Sequence, residues 1–242
     1  MLELQHINYT VPAADGGKTE ILKDVSFSVS ERFVAITGPN GSGKSTLAKI
    51  IAGIVTPTSG RVILDGKDIT DLSVTERARL GVSFAFQQPV RFKGITVKDL
   101  ISLAAGTNIS VAAACEYLSE VGLCAKEYIN REVNASLSGG ELKRIEIAMI
   151  NARGTKLSVF DEPEAGIDLW SFNNLIRVFE KMHERAGGSI LIISHQERIL
   201  DIADKIVVIA DGHVAAMGAK SEILPELLNA RAACKFTTEV AH

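Results

Sequence analysis

The sequence predicts an α/β fold with a mainly parallel sheet, an N-terminal antiparallel β subdomain and an inserted helical subdomain. Three observations predict it. A glycine-rich loop joins a buried apolar run to a helical stretch early in the chain. Short apolar runs alternate with helical stretches in the second half, which is the order of elements that builds parallel sheets. In the middle of the chain, strand-forming runs give way to helical periodicity.

The N-terminal β subdomain is predicted from two apolar runs that alternate with a period of two residues. Residues 2–11 alternate loosely, and residues 25–29 alternate again after a turn-rich stretch at 13–18. This pattern indicates two strands, and the turn residues between them indicate an antiparallel pair. The pair leads into the strand that precedes the glycine-rich loop.

The glycine-rich loop lies between an apolar run at 33–36 and a helical stretch at 46–52. Its letters fit G-x-x-x-x-G-K-[ST], which binds phosphate when it joins a strand to a helix. Glycines let backbone N–H groups turn towards the anion, since a Cβ there would block the phosphate oxygens, and the helix N-terminus attracts the same charge. We expect Lys44 to reach the β- and γ-phosphates and the Ser45 hydroxyl to bind Mg²⁺. The residues predicted to form this phosphate cradle are Gly38, Pro39, Asn40, Gly41, Ser42, Gly43, Lys44, Ser45 and Thr46.

Beyond the cradle, turn residues mark the next elements. Residues 56–60 predict a turn, 61–64 a strand, and Asp65-Gly66 a hairpin turn. Residues 83–87 predict a short strand that ends on the polar Gln87.

Helices are predicted at 97–105 and 111–121, and strands return at 157–160, 189–193 and 206–209, the last of them turning at Asp211-Gly212. We therefore divide the chain into a catalytic core at 1–87 and 137–218, a helical subdomain at 88–136, and a polar, partly helical tail at 219–242.

Composition excludes several classes of partner and location. The net charge is −3 with both signs mixed along the chain, so no basic surface favours nucleic acid. The longest apolar runs are far shorter than the roughly 20 residues that span a bilayer, so direct membrane insertion is not expected. Three widely spaced cysteines, Cys115, Cys124 and Cys234, fit a reducing compartment. We expect a soluble, cytoplasmic protein.

Two further stretches carry groups suited to phosphate chemistry. Asp161 and Glu162 end a buried strand, at the sheet edge where ligands gather in α/β folds. Asp161 suits a Mg²⁺ shell, and Glu162 suits polarising an attacking water. Residues 137–141, Leu-Ser-Gly-Gly-Glu, precede a helix that begins at Leu142. They predict either a simple helix cap or a second anion site without a lysine.

In this order, the motifs resemble those of the ABC-type ATPases. The loop resembles their Walker A motif and residues 137–141 their signature, which here ends in glutamate. The strand ending at Asp161 resembles Walker B. The other matching positions are Gln87 of the Q-loop, the catalytic Glu162, Asp168 of the D-loop and the switch residue His195.

The resemblance implies a P-loop NTPase fold and hydrolysis of ATP with Mg²⁺. It implies that Gln87 also serves the metal and that His195 contacts the γ-phosphate. It further implies that two copies pack head to tail, so that each ATP lies between the cradle of one copy and Ser138, Gly139, Gly140 and Asp168 of the other.

Within the family, the phrases at 85–90, 138–144 and 196–201 are similar to those of SufC, the group of ATPases that serve iron-sulfur cluster assembly. Most transporter subunits carry an aromatic residue at the position of Val11. The SufC group resembles this chain in having valine there. This likeness implies a scaffold partner similar to SufB or SufD. The ATP-binding subunit of a membrane transporter stays open as the alternative. An ABC protein acting on ribosomes or DNA is disfavoured, because such proteins usually have two cassettes or long coiled coils.

Overall fold

The computed structural model describes residues 1–13, 16–134, 136–185 and 187–239. The strands are β1 (Leu2–Pro12), β2 (Lys18–Val29), β3 (Phe33–Thr37), β4 (Ser59–Leu64), β5 (Lys67–Asp68), β6 (Val82–Ala85), β7 (Leu157–Asp161), β8 (Ser189–Ile193), β9 (Lys205–Ala210) and β10 (His213–Ala219). The helices are α1 (Lys44–Ala52), α2 (Val74–Arg79), α3 (Val97–Ala105), α4 (Val111–Glu120), α5 (Ala125–Tyr128), α6 (Gly139–Arg153), α7 (Leu169–Arg185), α8 (Glu197–Leu200) and α9 (Lys220–Glu239).

Two sheets organise the chain. One has four antiparallel strands in the order β2-β1-β4-β5, and the other has six strands in the order β10-β9-β3-β8-β7-β6. In the second sheet, β9, β3, β8, β7 and β6 run parallel and only β10 is antiparallel. The predicted fold class is confirmed.

Strands β3, β7, β8 and β9 of the six-stranded sheet are buried on both faces, which is why they are mainly apolar rather than alternating, whereas β10 at the edge alternates between exposed and half-buried residues. Val34 and Ile36 of β3 join a core with the four-stranded sheet and α1. Phe33 and Ala35 of the same strand face a second core with α6, α7 and the helices of the middle segment. The middle segment therefore shares its core with the sheet. Its boundaries at 88 and 136 stay a prediction.

Two predicted hairpins are present. Asp65 and Gly66 join β4 to β5, while Asp211 and Gly212 join β9 to β10; all four residues have positive φ. Positive φ at both central residues is what the tight turns of twisted hairpins require. The short sequence signal was sufficient here because the conformation is local.

The predicted turn at 56–60 ends earlier than expected, because β4 already begins at Ser59. Gly60 lies within the strand with a φ of 99°, and a Cβ there would come within 2.4 Å of the His6 carbonyl oxygen. The pairing of β1 with β4 shifts register near this point. Gly60 therefore permits a close backbone approach at a β-bulge rather than a chain reversal.

The predicted helices at 97–105 and 111–121 correspond to α3 and α4, with Val121 as the C-cap residue of α4. The tail is helical from Lys220 to Glu239, and residues 240–242 lie outside the described part. No helix among the described residues has both the length and the apolar character needed to cross a membrane.

Candidate functional site

The phosphate cradle leaves β3 at Gly38 and enters α1 at Lys44. Gly38 has a φ of 135°, and a Cβ there would lie 1.9 Å from the carbonyl oxygen of Ile209 on β9. Gly43 has a φ of 97°, and its Cβ would meet Leu22 Cδ2 at 2.6 Å. These two glycines are therefore required by neighbouring strands of the protein itself. That a Cβ in the loop would also block the phosphate oxygens stays a prediction.

Lys44 is almost buried, with 5% of its surface exposed. Its Nζ donates hydrogen bonds to the carbonyl oxygens of Gly38 at 2.9 Å and Pro39 at 2.7 Å. Burial lowers the pKa of Lys44, while the nearby carboxylates of Glu162 and Asp161 oppose this shift. The loop thus holds its own lysine folded across the cradle, with a cation desolvated and ready to pair with an anion.

Ser45 and Asp161 meet at the start of α1. Ser45 Oγ donates a hydrogen bond to Asp161 Oδ1 at 2.9 Å, across 116 residues of sequence. Asp161 ends β7 and is 3% exposed. Burial raises the pKa of its carboxyl, and the hydrogen bond from Ser45 works against that. The fold thus brings both positions to the same edge of the sheet.

Glu162 follows Asp161 and is the centre of a second set of contacts. Gln87 Nε2 donates to Glu162 Oε2 at 2.7 Å, and His195 Nε2 lies 3.5 Å from Glu162 Oε1. Glu162 has a φ of 44°, a left-handed conformation that is uncommon for a residue with a side chain. Three predicted positions that are distant in sequence, Gln87, Glu162 and His195, therefore come together.

The backbone of Glu162 is fixed from two sides. Its N–H donates to the carbonyl of Ile193 at 3.0 Å, and its carbonyl accepts from Lys143 Nζ at 2.9 Å. Lys143 is 3% exposed, and burial lowers the pKa of its ammonium. This lysine was not predicted, because a lysine beside an arginine on a helix normally indicates a solvated face. These contacts support the strained conformation of Glu162.

A neighbouring contact was also not predicted from the sequence. Ser194 Oγ donates to Glu164 Oε1 at 2.5 Å and accepts from the N–H of Gln196 at 3.0 Å. Burial raises the pKa of Glu164. The pair ties the loop after β7 to the loop after β8, and thereby fixes the positions of Glu162 and His195 relative to each other.

A cavity of about 430 Å³ lies over the cradle. Its described lining consists of Ile21, Asn40, Gly41, Gly43, Lys44, Ser45, Thr46, Gln87 and Glu162. Ser42 is 5% exposed, and its Oγ has no hydrogen-bond partner among the described residues. A buried hydroxyl without a partner is costly, and an oxygen-rich ligand in the cradle would satisfy it.

The oxygens at this edge suit Mg²⁺. Ser45 supplies a hydroxyl, Asp161 a carboxylate and Gln87 an amide, and Mg²⁺ prefers such oxygen ligands together with phosphates of the substrate. The residues present therefore fit the ion.

The signature residues occupy another place. Ser138 is the N-cap of α6, and Gly139 and Gly140 form the first turn of that helix. Asp168 is exposed and directly precedes α7; its carbonyl accepts from the N–H of Phe172 at 2.9 Å. None of these four residues is in the described lining of the cradle cavity. The structure does not bring them to the cradle of the same chain.

A buried strand, a glycine-rich loop with its lysine, and an acid paired to the loop's hydroxyl together define a P-loop nucleoside triphosphatase. The family model described as ABC transporter matches residues 22–165. An uncharacterised ABC transporter ATP-binding protein of Methanocaldococcus jannaschii is 43% identical over 216 residues, covering 86% of each chain. The lipopolysaccharide export system ATP-binding protein LptB of Escherichia coli is 32% identical over 214 residues, covering 85% of this chain and 87% of that protein.

Among solved structures, the ATP-binding cassette MJ0796 is similar over 91% of this chain and 99% of its own, with a TM-score of 0.81 and 26% identity. That structure is a dimer in a post-hydrolysis state bound to ADP and Pi. The present chain belongs to the ABC transporter family as the ATP-binding subunit of an ABC system, and it is an ATPase.

Proposed function

We propose that the chain is the ATP-hydrolysing subunit of a Suf-like iron-sulfur cluster assembly complex. Two copies close head to tail around ATP and drive a conformational change in a scaffold similar to SufB or SufD. The position of the Q-loop is the observation that supports coupling between the nucleotide site and the partner. Gln87 contacts Glu162 at the cradle, while its neighbour Phe86 lines an apolar groove on the surface.

In this proposal Glu162 orients the attacking water, Lys44 binds the β- and γ-phosphates, and His195 contacts the γ-phosphate. The hydrogen bond from Gln87 and the contact with His195 hold the Glu162 carboxylate towards the cavity. Ser45, Asp161 and Gln87 would hold Mg²⁺, which neutralises phosphate charge when bound. The remaining cradle residues, apart from Pro39, which has no backbone N–H, bind the phosphates through their backbone N–H groups.

Dimerisation is proposed because the second anion turn lies outside the cradle cavity. Ser138 and the N–H groups that follow it form an anion-binding helix start without a lysine. A facing copy would bring this turn, with Asp168, onto the exposed side of the bound nucleotide. The dimeric arrangement of the similar cassette supports this geometry.

The partner is proposed to bind the apolar groove. This groove has a volume of about 270 Å³ and runs between the six-stranded sheet and the helices of the middle segment. Four of its apolar side chains are more than a third exposed: Ile54, Val74, Phe86 and Val90. Exposed apolar patches of this kind mark interaction sites. Because Phe86 and Val90 lie on either side of Gln87 in the chain, closure of the cradle on ATP would move the groove wall.

The scaffold is favoured over other partners by the sequence phrases around Gln87, Ser138 and His195, and by Val11. A second candidate is the ATP-binding subunit of a membrane transporter. It is favoured by two relatives, the ABC transporter ATP-binding protein of Methanocaldococcus jannaschii and LptB of a lipopolysaccharide export system. Both candidates use the same ATPase and the same groove, so the partner has to be identified directly.

The test is a pull-down with the full chain followed by ATPase assays. A Suf-like role predicts recovery from the soluble fraction with a β-rich partner that raises ATPase activity. Depletion would then lower iron-sulfur enzyme activities without changing nutrient uptake. Recovery of an integral membrane protein alone, with stimulation by a transported solute, would overturn the scaffold and leave the ATPase intact.

A groove variant makes the test specific. Val90→Asp places a charge in the groove, since Val90 lines it and is 49% exposed, and should abolish partner stimulation. Leu103→Asp is the matched control, because Leu103 is 69% exposed but is not part of the described groove lining. Equal stimulation of both variants would remove the groove from this role.

A further inference from the structure

The signature turn contains an acid where a phosphate is proposed to bind. The start of α6 attracts an anion through its N–H groups and helix dipole. Glu141, in the first turn of that helix, adds a negative charge that repels the same anion. A turn that receives a nucleotide phosphate therefore requires this charge to be held and compensated.

Both carboxylate oxygens of Glu141 are engaged. Oε2 accepts from the N–H of Ser138 at 2.6 Å, which completes a capping box with the Ser138 side chain. Oε1 accepts from the Tyr128 hydroxyl and lies 3.6 Å from Arg131 Nη1. The side chain of Glu141 is only 18% exposed. Its charge is thus directed into the protein rather than towards a facing copy.

The two compensating residues are themselves fixed. Tyr128 packs against the core shared with the sheet. The Arg131 guanidinium lies 5.0 Å from the centre of the Tyr128 ring and donates to the carbonyl of Ser136 at 3.1 Å. Burial works to raise the pKa of Glu141, but the hydrogen bonds from Tyr128 and Ser138 outweigh it and leave the pKa lowered. The carboxylate is therefore charged at neutral pH, and the compensation is needed.

We infer that Tyr128 and Arg131 are positioning residues for Glu141: Tyr128 holds its carboxylate and Arg131 compensates its charge, and together they allow the signature turn to receive the phosphates of a nucleotide held by the facing copy. This inference rests on the proposed composite site. It assigns a role in ATP-dependent dimerisation to α5 and the residues after it, a segment in which the motifs identified no site residue.

The test separates charge compensation from simple structural support. Arg131→Ala, Glu141→Gln and the double variant are compared with the parent chain, all carrying Glu162→Gln to slow hydrolysis. ATP-dependent dimerisation is measured by sedimentation velocity, and ATP affinity of the monomer at low protein concentration. Arg131→Ala should weaken dimerisation about tenfold when Glu141 is present and about twofold or less in the Glu141→Gln background. Monomer ATP affinity should not change.

Three controls accompany the cycle. Arg91→Ala removes an exposed arginine that precedes α3 and should have no effect on dimerisation. Tyr128→Phe removes only the hydroxyl. It should weaken dimerisation less than Arg131→Ala does, and this loss should also disappear in the Glu141→Gln background. Thermal unfolding verifies that each variant is folded.

If Arg131→Ala weakened dimerisation equally with Glu141 and with Gln at position 141, the inference would be overturned. Arg131 would then support the structure of the turn without compensating a charge. The proposed composite site fails differently. In that case the parent chain binds ATP as a monomer but forms no ATP-dependent dimer, and the inference falls with it.

Discussion

The chain has two turns that can face a phosphate, and they differ in the element that precedes them and in the way their cation is held. The cradle follows the buried strand β3, and its cation, Lys44, is held by backbone carbonyls within the loop. The signature turn opens α6, and Arg131, the cation paired with its acid, is engaged with Glu141 rather than directed outward. One turn offers a lysine to an anion, and the other offers N–H groups and a hydroxyl.

This difference supports the proposal that the two turns contact opposite sides of one nucleotide. The cradle is joined to the acid Asp161 through Ser45, and to Glu162 through the cavity they both line. It therefore brings together the groups that we propose for binding and for hydrolysis. The signature turn lies outside the described lining of that cavity. In the proposed dimer, it reaches the nucleotide of the facing copy.

Glu162→Gln should leave ATP binding intact, lower kcat at least about 100-fold, and trap an ATP-bound dimer. The amide keeps a hydrogen-bond acceptor for Gln87 but cannot take a proton from the attacking water. Steady-state hydrolysis and sedimentation with ATP measure both effects. Glutamine also experiences the same left-handed backbone as glutamate, so the change isolates the charge.

The matched control is Glu164→Gln, in the same loop. Glu164 accepts from Ser194 and is not in the described lining of the cavity. We expect a much smaller loss of turnover there. Turnover near that of the parent chain in Glu162→Gln would remove Glu162 from the catalytic role and leave the cradle without its proposed base.

Mixing two inactive variants should restore activity if the turns act across a dimer. Lys44→Ala disables the cradle and Gly139→Asp disables the signature turn, so a mixed dimer keeps one intact pair. Random pairing should give about a quarter of the parent activity. A Cβ at Gly139 meets no atom within 4 Å and the residue lacks positive φ, so the variant should fold.

Gly139→Ala is the matched control for this mixture, since it adds a side chain without charge and should retain more activity by itself. A verified mixed dimer without any hydrolysis would contradict independent composite sites. It would then indicate that both sites must be intact together.

The sequence predicted the cradle side of this comparison more completely than the signature side. The loop pattern, the strand ending in Asp161 and Glu162, and the position of His195 after β8 are each encoded within a few consecutive residues. The parallel sheet then brings these ends to one edge. Such contacts follow from topology, which the alternation of elements predicts.

Contacts between separate elements could not be predicted in this way. Lys143 reaches the carbonyl of Glu162 because the fold brings α6 close to the residue that follows β7, and no local pattern distinguishes it from a solvated helix lysine. Tyr128 and Arg131 meet Glu141 across a loop for the same reason. The left-handed φ of Glu162 also depends on its tertiary hydrogen bonds rather than on residue type.

Glu146 provides a smaller test, on the helix that begins with the signature turn. Burial raises its pKa from 4.5 to about 7, and its Oε1 accepts from the N–H of Phe86 at 3.2 Å, beside Gln87. A raised acid pKa in the folded chain means that stability is lost as the pH rises from about 4.5 to 7. Glu146→Gln removes that loss.

The gain in the free energy of unfolding from Glu146→Gln, measured by urea unfolding, should therefore be larger at pH 8 than at pH 5.5, by up to about 2 kcal/mol. Glu180→Gln, an exposed glutamate on α7 with the same chemical change, should show no such difference. A gain for Glu146→Gln that is independent of pH would show that the carboxylate is not desolvated in the folded chain.

The smallest expected effect concerns the base rather than the phosphates, and therefore the cradle side alone. Val11 is half-buried on β1 and pairs with Thr19 of β2, the strand that also supplies Ile21 to the cavity. Val11→Tyr should tighten ATP binding about fivefold, because a ring adds stacking of order 1 kcal/mol. Val11→Leu, which adds apolar volume without a ring, should change affinity less. Nucleotide titration of the monomer measures both variants, and unchanged affinity in Val11→Tyr would mean that position 11 does not contact the base.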